Sequence, residues 1–317
     1  LPALTAELRQ VLTSPTEPAG RRTAAAGALA RLAAAGVPGA DPDEWWGLAD
    51  LSDERPLVDG DRRVLVSPSG IDSFGECELR WLLRRIGADP GGSLRSEVGK
   101  LIHELAIWLA RPAPEPDALR AELDRALDRF NLGAPWLRSR ERQHARDMLE
   151  KLLAWRDNYS GHDVLVTEAS LQVEVGERAE VRGRVDWVDR DSDGRARVID
   201  FKTGQTPTAV DRNGQLGSYQ LAVEAGGIHG VPAGTPSGGA ALVALGTGAA
   251  YRERSQRPLA DDPDDPTWAR ELVDTTAAGM GGAVFRAYPG QRCRGCPVRR
   301  SCPAHNEGWQ VGERDAR

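Results

Sequence analysis

Apolar positions recur along this chain with two different periods, and the change falls near residue 160. Before it the spacing is helical. In SPSGIDSFGECELRWLLRRIGA the residues Ile71, Phe74, Leu79, Leu82 and Leu83 form one stripe. In SEVGKLIHELAIWLA, Val98, Leu101, Ile102, Leu105 and Trp108 form another, with Ser96 placed to cap it and His103 beside it. Further helices are predicted over residues 3–12, 21–35, 116–130 and 138–159, and a helix start at Asp41–Pro42, with Trp45 and Trp46 as packing anchors. After residue 160 the period becomes two. Val164, Val166, Leu171, Val173 and Val175 alternate in DVLVTEASLQVEV, and Val181, Val185 and Trp187 in AEVRGRVDWVDR. RARVIDFKTG then follows a turn made by Asp191, Ser192, Asp193 and Gly194. Three consecutive antiparallel strands are predicted. NGQLGSYQLAVEAG then reads as a helix, GGAALVALGTG as a short buried strand and DPTWARELVDTTAAGM as a helix.

Composition narrows the class. The chain has 317 residues, 40% of them hydrophobic, enough for one large domain or two modest ones. Residues 1–60, Ala-rich and broken by Pro and Gly, read as a helical connector or tail, and residues 61–317 as the domain that carries the chemistry. No apolar run of 18 residues occurs and no secretory pattern opens the chain, so a cytoplasmic protein with no membrane partner is expected. The start at Leu1 suggests a piece of a longer polypeptide. A net charge of -6 argues weakly against a nucleic-acid partner. Two features blunt that argument. Arg greatly outnumbers Lys, which favours bidentate phosphate contacts, and a metal site concentrates carboxylates. No phosphate-binding G-x-x-x-x-G-K-[ST] loop occurs, so the chain is not itself an ATPase.

The chemistry gathers around VIDFKTG. Strand residues two apart share a face, so Asp200 and Lys202 project together while Ile199 and Phe201 turn away. Asp186, at the end of GRVDWV, can come alongside across a hairpin. Two carboxylates meeting across a ladder repel unless a cation lies between them. Oxygen ligands suit Mg²⁺ or Mn²⁺, which would polarise a phosphoryl oxygen and activate water, with Lys202 orienting that water or neutralising charge. The plainer reading is a surface hairpin with a solvated Asp200–Lys202 pair.

GRVDWV, VIDFKTG and QLGSYQLAV together resemble the PD-(D/E)XK nuclease superfamily and, within it, the RecB-type branch. The resemblance implies an α/β fold: a central mixed sheet flanked by helices, with a helical N-terminal extension and a Cys-rich C-terminal loop. It implies metal ligation by His103, Asp186 and Asp200, catalysis by Asp186, Asp200 and Lys202, and support of the DNA or the active site by Gln215 and Tyr219, which share a helix face. Glu168 is the candidate for a further upstream acid.

The four cysteines divide into Cys77 and the set Cys293, Cys296 and Cys302 in CRGCPVRRSCP. In a cytosolic chain this is ligand spacing, for Zn²⁺ or an iron–sulfur cluster. A one-plus-three split favours a cluster, and the resemblance implies a [4Fe–4S] cluster, with Zn²⁺ as the alternative. His305 nearby reads as a bystander. The resemblance is strongest to the nuclease modules of Adn-type helicase–nucleases. It implies a Mg²⁺- or Mn²⁺-dependent deoxyribonuclease acting on single-stranded DNA in break processing and recombinational repair. The implied partners are a helicase motor in the same full-length chain and a second helicase–nuclease subunit. Two alternatives remain: a catalytically silent DNA-binding or scaffolding domain, and a zinc-stabilised interaction module.

Overall fold

A computed structural model describes residues 2–14, 16–45, 54–88, 94–111, 115–130, 135–159, 163–204, 209–299 and 302–305. The chain divides into two compact units, one formed by Leu1–Arg55, Leu83–Asp89 and Arg286–Arg317, the other by Pro56–Leu82 and Pro90–Phe285.

In the first unit, helices α1 (Pro2–Thr13) and α2 (Ala19–Ala34) lie side by side. Leu29, Ala40 and Trp45 are buried there, with Leu8, Leu12, Leu32 and Val37 packed against them. The expected helix at Asp41–Pro42 is a single 3₁₀ turn, Pro42–Glu44, capped by the Asp41 carboxylate. Trp45 is the anchor that the sequence suggested, its indole N–H donating to the Gly39 carbonyl at 2.7 Å. Trp46 lies outside the described residues.

The second unit is built on a mixed six-stranded sheet. Its strands are β1 (Val64–Val66), β2 (Asp163–Val175), β3 (Ala179–Arg190), β4 (Ala196–Lys202), β5 (Ser237–Ala244) and β6 (Arg252–Gln256). The order is β1-β3-β4-β5-β6, with β2 paired along β3. β2, β3 and β4 are the predicted antiparallel run. β5 returns parallel to β4 after helix α8 (Gly214–Glu224). One face of the sheet is covered by α5 (Leu94–Leu109), α6 (Pro116–Arg129) and α7 (Pro135–Asn158), whose apolar stripes meet Trp187, Ile199, Phe201, Ala241 and Val243. The other is covered by α3 (Pro68–Glu76), α8 and α9 (Trp268–Met280), packed on Val181, Val185, Val188, Val198 and Leu242. A sheet buried on both faces is why β4 and β5 read as continuous apolar runs rather than alternating ones.

Three expectations change. The helical stretch after Ser67 is two helices, α3 and α4 (Glu78–Arg85), because the backbone at Cys77 is extended, with φ -170°. Ser96 lies inside α5, not at its cap. β3 runs on past Asp186 to Arg190, so that carboxylate sits within the strand and not at its end.

Candidate metal centre and catalytic site

β1 runs parallel to β3 and pairs with it as far as Val66↔Val181, whereas β4 runs antiparallel and pairs from Ala196↔Arg190 to Ile199↔Trp187. Since β2 occupies the opposite edge of β3 throughout, β1 and β4 meet end to end along one edge, their C-termini approaching each other. Strand C-termini at such a switch in topology form the crevice in which open α/β sheets hold ligands. The candidate residues converge there.

The β3–β4 ladder ends at Ile199↔Trp187, one step short of Asp186 and Asp200. Asp186 Oδ2 accepts the Phe201 backbone N–H at 2.7 Å, which ties this carboxylate to the D-x-K segment. His103, from α5, brings Nδ1 to 3.3 Å from the same oxygen and to 3.9 Å from Glu168 Oε1. One donor atom each from His103, Glu168 and Asp186 lies within 4.8 Å of the others, close enough to share one cation.

Why Glu168 joins them is visible in the backbone. Its φ is 47°, the one positive value among the described non-glycine residues, and it lies opposite Asp186, between the pairs Thr167↔Trp187 and Ala169↔Val185. The same level is where β3 exchanges faces: Val185 packs into one core layer and Trp187, two residues on, into the other. Simple alternation predicts that these two share a face, so the strand turns over at Asp186. Left-handed backbone at a non-glycine residue costs about 1–3 kcal/mol and gathers at functional sites. Glu168→Gly is therefore expected to stabilise the fold by about 1 kcal/mol while cutting metal-dependent cleavage on the order of 10²-fold, because the strain is relieved and a ligand lost. Thermal melts and cleavage rates check both, with Glu168→Gln as the control that loses activity without gaining stability.

Asp200 is 4% exposed and faces the other way, toward α8. Its Oδ1 accepts from Gln215 Nε2 at 2.7 Å and from the Tyr219 hydroxyl at 3.1 Å. Its Oδ2 is ion-paired with Lys202 Nζ at 2.7 Å. Lys202 Nζ also donates to Gln215 Oε1 at 2.8 Å. Gln215 thus grips the acid with one end of its amide and the lysine with the other. The main chain of this segment is clamped as well: Leu245 and Gly246 both donate N–H to the Lys202 carbonyl, and a Cβ on Gly246 would come 1.9 Å from the Thr203 oxygen.

Electrostatics follow from this crowding. Burial, then the Asp186 charge, push Asp200 up to about 6 against the pull of Lys202. Burial and the Asp186 charge also raise Glu168. Burial alone would lower His103, but the hydrogen bond and charge of Asp186, followed by the charges of Asp200 and Glu168, outweigh it and raise the imidazole. Burial raises Tyr219 well above the ordinary phenol value, which keeps it a neutral donor to Asp200. The charges of Asp186, Asp200 and Glu168 meet around His103, and a cation there would offset their mutual repulsion. A nitrogen and carboxylate oxygens suit Mn²⁺ or Mg²⁺.

The cysteines lie in both units. Cys77, half-buried, follows α3 in the second. In the first, Cys293 lies in the 3₁₀ turn Gln291–Gly295 and its Sγ accepts the Gly290 N–H at 3.3 Å. Cys296 closes that turn with its N–H on the Cys293 carbonyl at 3.4 Å, and Cys302 is buried.

Sequence reasoning missed Asp72, on α3, whose carboxylate binds the start of α8. On the sequence it reads as one more position on the polar face of a helix, because its partners Asn213 and Gly214 lie about 140 residues away.

A family model for the PD-(D/E)XK nuclease superfamily matches residues 65–303. No curated protein matches the chain. Solved structures that it resembles include one described as SSO0001, 16% identical, covering 78% of this chain and 87% of that one with a TM-score of 0.36. Another is a candidate exonuclease from Eubacterium rectale, 14% identical, covering 72% and 86% respectively with a TM-score of 0.41.

Proposed function

This chain belongs to the PD-(D/E)XK nuclease superfamily, and from that premise we propose that it is a Mg²⁺- or Mn²⁺-dependent deoxyribonuclease that hydrolyses single-stranded DNA during the processing of broken ends. The observation that carries the reading is the meeting of Asp186, Glu168 and His103 beside Asp200 and Lys202 at the end of β4. His103, Glu168 and Asp186, joined by Asp200, are the groups that would hold the ion. When bound, it supplies Lewis-acid polarisation of the phosphoryl oxygen and a lowered pKa for bound water.

The protein's own groups do the rest. Phe201 N–H fixes Asp186, so its orientation does not depend on substrate. Gln215 and Tyr219 hold one oxygen of Asp200, and Lys202 pairs with the other. Lys202, already shared between Asp200 and Gln215, is placed to neutralise charge that develops on the phosphate. Such preorganisation costs no reorganisation during the reaction.

Supporting the wider reading, the cysteine spacing suits a [4Fe–4S] cluster held by Cys77, Cys293, Cys296 and Cys302, with Zn²⁺ as the alternative. The partners proposed are a helicase motor in the same full-length chain, which delivers the unwound strand, and a second helicase–nuclease subunit, in recombinational repair. Incubation of the protein with an end-labelled single-stranded oligonucleotide tests the central point. Cleavage should appear with Mn²⁺ or Mg²⁺, vanish with chelator and be weaker on blunt duplex. Chelator-resistant cleavage, or none with any divalent ion, contradicts it.

A further inference from the structure

We infer that Asp72 is a positioning residue for DNA cleavage: from α3 it locks the first turn of α8 and so sets the Gln215 amide that holds Asp200 and Lys202. The inference rests on the nuclease reading for its kinetic consequence, but not for its structural one.

The chain of contacts is short. Asp72 Oδ1 accepts the Gly214 backbone N–H at 3.0 Å, and Oδ2 accepts Asn213 Nδ2 at 2.7 Å. Asn213 in turn uses its own Oδ1 to cap α8 through the Leu216 N–H at 3.0 Å. The first-turn N–H groups of a helix have no partner within it, and here one is bound by a carboxylate from a different helix. Gly214 is what allows the approach, since a Cβ there would lie 2.6 Å from Ile71 Cγ2 and 3.0 Å from Asp72 Oδ1. Directly after this double cap comes Gln215, whose amide reaches Asp200 Oδ1 at 2.7 Å and Lys202 Nζ at 2.8 Å. Burial raises the Asp72 carboxyl, while hydrogen bonds from Gly214, Asn213 and Gln215 and the charge of Lys202 pull the other way, as befits an acid aimed at a helix start beside a catalytic lysine.

The alternative is an ordinary cap whose loss would only lower stability. Polarity separates the two. Asp72→Asn sets an amide donor against the Asn213 amide, and Asn213 cannot turn over without giving up the Leu216 cap. The double variant Asp72→Asn/Asn213→Asp exchanges donor and acceptor and rebuilds all three hydrogen bonds. The single variant is expected to lower kcat by about 10- to 100-fold with KM for DNA unchanged, because a misplacement near 1 Å costs that order of rate. It should also speed amide exchange in the α8 N-terminal peptide. The double variant should bring kcat back to within about 3-fold of wild type and restore the exchange protection. Wild-type kcat in Asp72→Asn overturns the inference, as does a loss in the single variant that the double fails to rescue while α8 exchange stays at wild-type level in both. Should the wild type not cleave DNA at all, the nuclease reading fails, and exchange at α8 still decides Asp72: faster in the single and restored in the double upholds the lock, unchanged in both overturns it.

Discussion

Asp200→Asn is expected to lower single-turnover DNA cleavage by at least about 10³-fold while the protein stays folded. The substitution preserves shape, and Gln215 Nε2 and the Tyr219 hydroxyl can still donate to the remaining oxygen. What disappears is the charge on the atom facing Lys202 and the cation. The same variant carries a thermodynamic signature. Burial and Asp186 push the Asp200 carboxyl to about 6, whereas in the unfolded chain it ionises near about 3.9. Between those values the folded state holds a proton that the unfolded state has released. The Asp200 contribution to the stability of the metal-free protein therefore falls as pH rises from about 4 to about 6, by about 3 kcal/mol in total. Asp200→Asn should remove that share of the pH dependence, leaving the part due to Asp189, which burial pushes up to about 7. Melting curves in chelator across this range, beside cleavage rates, test both halves; full activity in the variant would place the reacting centre elsewhere.

Asp186→Asn is the second large effect. Asp186 Oδ2 serves the Phe201 N–H and faces His103 at 3.3 Å, so an amide there keeps one acceptor but offers a neutral, weaker ligand. Removing second-sphere partners alone typically costs 10- to 100-fold in metal affinity, so loss of a direct carboxylate should weaken Mn²⁺ binding by about 10²-fold or more. Because Asp186 is the main group that raises His103, the His103 pKa should fall in the same variant. Calorimetric Mn²⁺ titration and the imidazole NMR signals report the two changes. Unaltered Mn²⁺ affinity would exclude Asp186 from the centre.

Much of this site was legible in the sequence because strand geometry is simple. The period of two placed Asp200 and Lys202 on one side of β4, with Ile199 and Phe201 in the opposite core layer, as observed. The four-residue spacing of Gln215 and Tyr219 likewise put both on the Asp200 side of α8. Elsewhere the same rule misled. It grouped Trp187 with Val181 and Val185, but β3 turns over at Asp186, and nothing in the composition of GRVDWV announces that. Glu168 was weak on sequence for a related reason: its placement depends on a positive φ that side-chain chemistry does not favour and only tertiary packing imposes. β1 has three residues, too few to show a period, and β6, RERSQ, is a charged edge strand without apolar alternation. The break at Cys77 was hidden because Ile71, Phe74, Leu79 and Leu82 keep helical spacing across it.

The measurement that bears most directly on the account is anomalous diffraction from crystals of the protein soaked in Mn²⁺. The account predicts one strong peak within about 2.0–2.3 Å of carboxylate oxygens of both Asp186 and Asp200, with His103 or Glu168 completing the coordination. A soaked crystal with no Mn²⁺ between those two carboxylates, or with Lys202 still paired to Asp200 and the ion bound elsewhere, contradicts it.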